Sequence, residues 1–83
     1  MIDQVLPPPP STDELERAPI IDQWRLMQSA DDAFVIVGIV SGHPRLKDGW
    51  VATSPVQRMD AADQPAWAET LNRIYRLGVG RNA

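Results

Sequence analysis

Apolar residues occupy nearly every position of residues 34–40, which read FVIVGIV. Side chains of a β-strand point to opposite faces in turn, so a run that is apolar at both sets of positions predicts a strand covered on both faces. Gly38 interrupts the large side chains and indicates a bulge, a bend or a close approach of another backbone. The pattern therefore predicts a central strand over residues 34–40.

A second extended run follows after a loop of turn-forming residues. The loop contains Gly42, Pro44, Asp48 and Gly49. Turn residues between two β-branched runs predict two antiparallel strands joined by a structured loop. Glycines in such a loop are expected to adopt positive φ. The second run begins at Trp50 and is expected to continue through Met59, with a strand edge or a bulge at Pro55, which cannot donate a backbone hydrogen bond.

The chain before these strands predicts a short helix. Ser11 and Glu14 have the spacing of a capping box, and acidic residues in the first turn suit the positive end of the helix dipole. The helix is expected to end at Ala18, because a residue that precedes proline is disfavoured in the α region. Residues 19–24 are expected to add another turn, and alternation with a period of two resumes from Trp24.

The pattern of residues 64–77 fits two structures. One is a hairpin that turns at Asn72 and Arg73; the other is a helix whose apolar stripe is formed by Trp67, Leu71, Ile74 and Tyr75.

The chain divides into three parts. We expect residues 1–10 to be a proline-rich leader, residues 11–78 to be a single small globular domain, and residues 79–83 to be a tail. A helix combined with antiparallel strands places the domain in the α+β class.

Composition narrows the classes of function. The chain has 83 residues, no cysteine and one histidine, so thiolate metal sites and disulfides are excluded and a cytoplasmic location is expected. No apolar run is long enough to span a membrane. The net charge is −3, which disfavours strong nucleic-acid binding. A core this small leaves little room for an active-site cleft, so we expect no enzymatic activity and no cofactor.

Charge is unevenly distributed along the chain. Residues 1–32 carry seven acidic and two basic residues, whereas residues 43–83 carry six basic and four acidic ones. An acidic N-terminal part and a mildly basic C-terminal part fit a polarised interface, but solvated surface charge is the simpler and preferred interpretation.

A spaced motif resembles a family of small uncharacterised bacterial and phage proteins. It comprises residues 37–46 (VGIVSGHPRL), Asp48-Gly49, Thr53-Ser54 and residues 75–78 (YRLG). The family pattern reads G-x-V-x-G-H-P, then D-G, T-S and Y-x-L-G, and the resemblance covers residues 18–78. It implies a small curved antiparallel sheet, a partly open barrel of four or five strands beside the helix, and carries no known activity.

The residues of the loop are expected to divide into two groups. His43 and Asp48 have the types needed for a catalytic pair, with Ser41, Thr53 or Ser54 as nucleophile. The simpler interpretation is that they bond loop backbone, so we assign a structural role to Gly42, His43, Asp48 and Gly49. No catalytic, metal or cofactor-binding residue is predicted. Arginine and tryptophan dominate many interfaces, so the predicted partner-binding residues are Arg45, Leu46, Lys47 and Trp50.

Two functions fit these features. The first is a non-enzymatic protein-binding module, in the manner of the small acidic inhibitors of bacterial defence systems, anti-CRISPR proteins among them, that mobile elements carry. The second is a weak nucleic-acid-binding accessory protein that uses the basic C-terminal half. Its contacts would come from Arg45, Lys47, Trp50, Arg58, Arg73 and Arg76.

Overall fold

The computed structural model describes residues 8–81, which form an α+β domain, as the sequence predicts. The elements are α1 (Thr12–Arg17), β1 (Ile20–Gln28), β2 (Phe34–Ser41), β3 (Gly49–Ala52), β4 (Val56–Met59), β5 (Trp67–Thr70) and β6 (Ile74–Leu77). Residues 1–7 of the expected leader and residues 82 and 83 of the expected tail lie outside the described residues. Within the described part, no helix is long and apolar enough to cross a membrane.

The strands form one open sheet in the order β3-β2-β1-β6-β5-β4. The prediction of a wholly antiparallel sheet of four or five strands is wrong on both counts. The sheet has six strands, and β1 pairs with β6 in parallel while the other neighbours are antiparallel. The parallel pair arises because the chain passes from β3 to β4 without reversing, so that β6 runs in the same direction as β1.

The two edge strands, β3 and β4, are consecutive parts of one bent run. Thr53 N still donates to Ile36 O of β2, at 2.9 Å, whereas Pro55 O accepts from Leu71 N after β5, at 3.1 Å. In a flat sheet the outer two of six strands lie about 24 Å apart, but the step from Ala52 to Val56 spans at most about 14 Å. The sheet is therefore strongly curled, although its edges do not pair to close a barrel.

The bent run also explains the extra strand. Pro55 was expected to interrupt a single extended segment, and the chain changes neighbours at this point, from β2 to β5. A proline has no amide hydrogen for a ladder, so the segment after it can turn towards a new neighbour without losing a hydrogen bond.

Helix α1 begins and ends where its sequence predicts. Ser11 Oγ accepts from Glu14 N and Glu14 Oε1 accepts from Ser11 N, each at 3.1 Å, which completes the capping box. Ala18 adopts an extended conformation before Pro19. The additional helical turn expected over residues 19–24 is wrong: β1 begins at Ile20 and pairs with β2 and β6, and its ladder hydrogen bonds replace those of a helix.

The core lies on the concave face of the curled sheet. It consists of Ile21, Ile36, Val40, Ala68, Tyr75 and Leu77. Strand β2 lies between β1 and β3, as the sequence predicts, but only one of its faces is buried. The opposite face, with Val35, Val37 and Ile39, is half-buried, because no second layer covers this part of the sheet.

Gly38 lies against a bulge in β1, which matches the expected close backbone approach. The register shifts between Asp22 and Arg25, and Gln23 adopts a φ of 49°. A Cβ atom on Gly38 would lie 2.6 Å from Ile21 Cγ2 and 2.8 Å from Asp22 O. Glycine, which has no Cβ atom, therefore allows β1 and β2 to lie this close together at the bulge.

Residues 67–77 form a hairpin, which is one of the two structures that the sequence pattern allows. Strands β5 and β6 pair antiparallel, and burial alternates with a period of two, which a helix would not produce. The chain then continues along β1: Trp24 N donates to Val79 O and Arg81 N donates to Trp24 O. Residues 79–81, which were expected to begin the tail, are thus hydrogen-bonded to the sheet.

Candidate functional site

The loop between β2 and β3 is held by its own polar side chains. Asp48 Oδ1 accepts from Gly42 N at 3.2 Å. His43 Nδ1 accepts from Arg45 N at 3.0 Å and from Leu46 N at 3.1 Å. Gly42 and Gly49 have φ angles of 74° and 151°. In this arrangement His43 and Asp48 bond separate backbone amides and not each other, so the geometry of a catalytic pair is not present.

A groove of about 530 Å³ lies at the bend between β3 and β4. Three segments form its walls: the loop after β2, the end of β3 with the connection to β4, and the hairpin of β5 and β6. Its lining residues are His43, Arg45, Leu46, Val51, Ala52, Thr53, Ser54, Asn72, Arg73 and Tyr75. We refer to it as the bend groove. The curl of the sheet creates it, because the curl brings the hairpin tip close to β3.

Thr53 fixes the wall of the bend groove that β3 contributes. Its Oγ1 accepts from Ile36 N at 3.0 Å and donates to Ser54 O at 2.8 Å. The side chain therefore takes the place of a strand partner for β2 where the chain leaves the ladder. Buried amides are costly to leave without an acceptor, so this hydroxyl stabilises the bend.

His43 and Tyr75 meet across the bend groove. Their ring centroids are 6.0 Å apart. Burial, and then the charges of Arg73 and Arg45, lower the pKa of His43 below its usual 6.5. Burial raises the pKa of Tyr75, and Arg73 opposes that rise. Both shifts favour the neutral form of the ring, and both arginines lie close enough to His43 to act on its charge.

The charge of the bend groove is positive. Arg45 and Arg73 line it, and none of the described lining residues is a carboxylate. The acidic residues nearest in sequence have other partners; Asp48, for example, bonds Gly42 N. Ser54, Asn72 and Tyr75 contribute further donor groups. The groove thus combines two cations with several neutral donors.

The structure separates the predicted partner-binding residues. Arg45 and Leu46 line the bend groove, Trp50 does not, and Lys47 is exposed on the loop without lining the groove. The Trp50 side chain is 58% exposed and lies opposite Ile39, on the convex face of the sheet. The guanidinium of Arg81 lies 5.7 Å from the centre of the Trp50 ring.

A second groove, of about 510 Å³, shares no lining residue with the bend groove. Several of its lining residues lie at the bulge of β1. One of them is Trp24, whose Nε1 donates to Gly78 O at 3.1 Å. Arg25, Arg81 and Asp63 also line it. Its charges are of both signs, so it selects less clearly for one class of ligand than the bend groove does.

Sequence reasoning missed Asn72 and Tyr75 as groove residues, and it named Arg73 only as a contact of the alternative nucleic-acid function. They lie about thirty positions after His43 in the chain, and only the curl of the sheet brings them beside it. One signal was available. The hairpin alternative placed Asn72 and Arg73 at a tip, where side chains are free to take part in binding.

Searches of curated proteins and of solved structures each found no significant match. A scan against protein families matched residues 5–83 to a family of unknown function, DUF6634. The match extends over nearly the whole chain, including α1, all six strands and the residues of the bend groove. The chain therefore belongs to the DUF6634 family.

Proposed function

We propose that this protein is a non-enzymatic binding module that recognises another protein through β3 and the loop before it. The observation that carries the proposal is the exposure of Trp50, whose large ring lies on the convex face of an edge strand. An exposed tryptophan at this position costs solvation free energy, which a partner would recover by covering the ring.

The surroundings of Trp50 support this function. Ile39 is its cross-strand neighbour, and Val37 lies two residues away on the same face of β2. Both are half-buried, so an apolar strip continues from Trp50 across the sheet. Contiguous, partly exposed apolar side chains are typical of interaction surfaces.

The edge of β3 offers backbone groups to a partner as well. Within residues 8–81, β3 has a strand neighbour on one side only. An extended peptide can add to such an edge through main-chain hydrogen bonds, while neighbouring side chains provide specificity. Arg45 and Lys47 would then lie at the rim, where charge guides the approach of a partner more than it adds affinity.

The protein fits a stoichiometric mode of action. A small acidic domain can occlude a site on a larger protein without chemistry of its own, and inhibitors of bacterial defence systems act in this way. We propose occlusion of such a partner as the specific form of the function. Weak nucleic-acid binding is the competing function, and it predicts a different dependence on salt.

The test compares three proteins in binding to host proteins and to duplex DNA at two salt concentrations. They are wild type, the double variant Arg45→Ala/Trp50→Ala, and Phe34→Ala. Phe34 is 51% exposed at the far end of β2 from the loop, so its variant controls for loss of an exposed aromatic ring. We expect a host protein that wild type and Phe34→Ala retain and that the double variant loses.

Two results would contradict the proposal. DNA binding that falls steeply with salt, because neutralised phosphates release counterions, without any protein partner would favour the nucleic-acid function. A protein partner retained equally by all three proteins would move the interface away from Trp50. Thermal denaturation of each variant checks that the fold is intact, which we expect because all three side chains are exposed.

A further inference from the structure

The bend groove presents hydrogen-bond donors from three separate segments of the chain. Arg45 comes from the loop after β2, Ser54 from the connection to β4, and Asn72 and Arg73 from the hairpin tip. Guanidinium groups donate and never accept. Among the described residues neither arginine forms an ion pair, so their charges are available to a ligand.

The hydrogen bonds that the His43 ring accepts at Nδ1 leave its other ring nitrogen, Nε2, as a donor. Its Nδ1 accepts from two backbone amides, those of Arg45 and Leu46. A neutral imidazole has one accepting and one donating nitrogen. Because Nδ1 accepts, the proton must be on Nε2. The loop therefore fixes the tautomer in which His43 adds one more donor to the groove.

We propose that the bend groove binds a phosphate monoester group carried by a small molecule. The binding site is separate from the Trp50 surface proposed above, since Trp50 lies on the opposite face of β3. Arg45 and Arg73 would hold the phosphate oxygens from opposite walls. His43 Nε2, the Ser54 hydroxyl and the Asn72 amide are donors for the remaining oxygens.

A phosphate fits this set of donors better than a carboxylate does. A carboxylate has two oxygens and one charge, and a single arginine can satisfy it through paired hydrogen bonds. The bend groove offers two guanidinium groups and further neutral donors, which match the three terminal oxygens and the near-dianionic charge of a phosphate monoester.

The dimensions of the bend groove indicate that the ligand extends beyond the phosphate. Its volume of about 530 Å³ falls within the range of about 300–1,000 Å³ that small-molecule sites occupy, and a phosphate alone would leave most of it empty. Leu46, Val51 and the ring of Tyr75 provide an apolar wall. An organic group attached to the phosphate would pack against that wall.

The experiment is an NMR titration of the ¹⁵N-labelled full chain at constant ionic strength, near pH 7.5. The probes are inorganic phosphate, adenosine 5′-monophosphate, adenosine and acetate. We expect saturable shifts of the amides of residues 43–46 and 72–75 with both phosphates, tighter binding of the monophosphate than of inorganic phosphate, and no saturation with adenosine or acetate.

Charge-removing variants identify the site. Arg73→Gln and Arg45→Gln are each expected to weaken phosphate binding by about tenfold, which is the loss of one charge-assisted contact. Arg17→Gln, on the exposed face of α1, is the matched control and should bind as wild type does. Phosphate should also raise the pKa of His43, because a bound anion offsets the charges of Arg45 and Arg73 that lower it.

The proposal is overturned if neither phosphate gives saturable shifts in these residues. It is also overturned if Arg17→Gln weakens binding as much as the groove variants do, since that indicates attraction to overall charge. Saturable acetate binding of equal strength would replace the phosphate with a carboxylate. Binding of inorganic phosphate and the monophosphate with equal affinity would refute the contribution of the apolar wall.

Discussion

The contact between Gly38 and the bulge of β1 provides the sharpest test of the fold. In Gly38→Ala the new Cβ would lie 2.6 Å from Ile21 Cγ2 and 2.8 Å from Asp22 O, where ordinary contacts begin near 3.4 Å. Because Asp22 O is a backbone atom, the strands themselves must separate. Forcing a methyl group into a packed site typically costs about 1–3 kcal/mol, so we expect Gly38→Ala to lower the free energy of unfolding by that amount.

Gly80→Ala is the matched control. Its new Cβ would have its nearest neighbour, Trp24 Cζ2, at 3.4 Å. An alanine that fits its site gains up to about 1 kcal/mol, because the unfolded chain has less entropy to lose. The two variants should therefore differ by about 2 kcal/mol in urea denaturation, or by about 10 °C in melting temperature for a domain of this size.

Equal stability of the two variants would refute the reasoning. It would mean that β1 and β2 do not approach closely at Gly38, and hence that the bulge is not located between Asp22 and Arg25. A change in the slope of the denaturation curve, without a change in its midpoint, would indicate an altered unfolded state and would not count as support.

Three further predictions concern the core, the bend and the loop. Ile36→Ala should cost about 2–5 kcal/mol, because Ile36 is fully buried; Phe34→Ala, at an exposed site on the same strand, should cost far less, as urea denaturation will measure. Thr53→Val should lower the free energy of unfolding by about 1–3 kcal/mol, because it leaves the Ile36 amide without its acceptor. Thr53→Ser keeps the hydroxyl group and should therefore keep most of that stability. Since the folded state lowers the pKa of His43 below 6.5, the unfolded state binds more protons in the window just below 6.5, and stability should rise with pH through it. Denaturation across that window should show the wild type gaining stability relative to His43→Ala as pH increases, and a constant difference would contradict the prediction.

Local signals in the sequence were sufficient for the helix and for strand β2. The capping box of Ser11 and Glu14 and the stop at Pro19 are short-range features, and each is determined by residues that are adjacent in the chain. The continuous apolar run of residues 34–40 likewise identified an interior strand. These elements depend little on what the rest of the chain does.

The topology depended on contacts that no local pattern contains. The loop of residues 42–49 predicted the antiparallel pairing of β2 with β3, and Pro55 was recognised as an interruption, but the sequence did not reveal that β4 pairs with β5. Residues 64–77 fitted a helix and a hairpin equally, and pairing with β1 and β4 decides between them, because β6 and β5 complete ladders on both sides. Tertiary pairing overrides periodicity in segments this short.

The bend groove and the Trp50 surface can be separated by experiment because they use different residues on opposite faces of β3. If both proposals hold, Arg73→Gln should weaken phosphate binding about tenfold while leaving the protein partner bound, and Trp50→Ala should release the partner while leaving phosphate binding unchanged. Arg45 borders both regions, so its variant is expected to affect each. Loss of both activities in Trp50→Ala alone would instead indicate one continuous site, and the phosphate would then be a group that the partner itself presents.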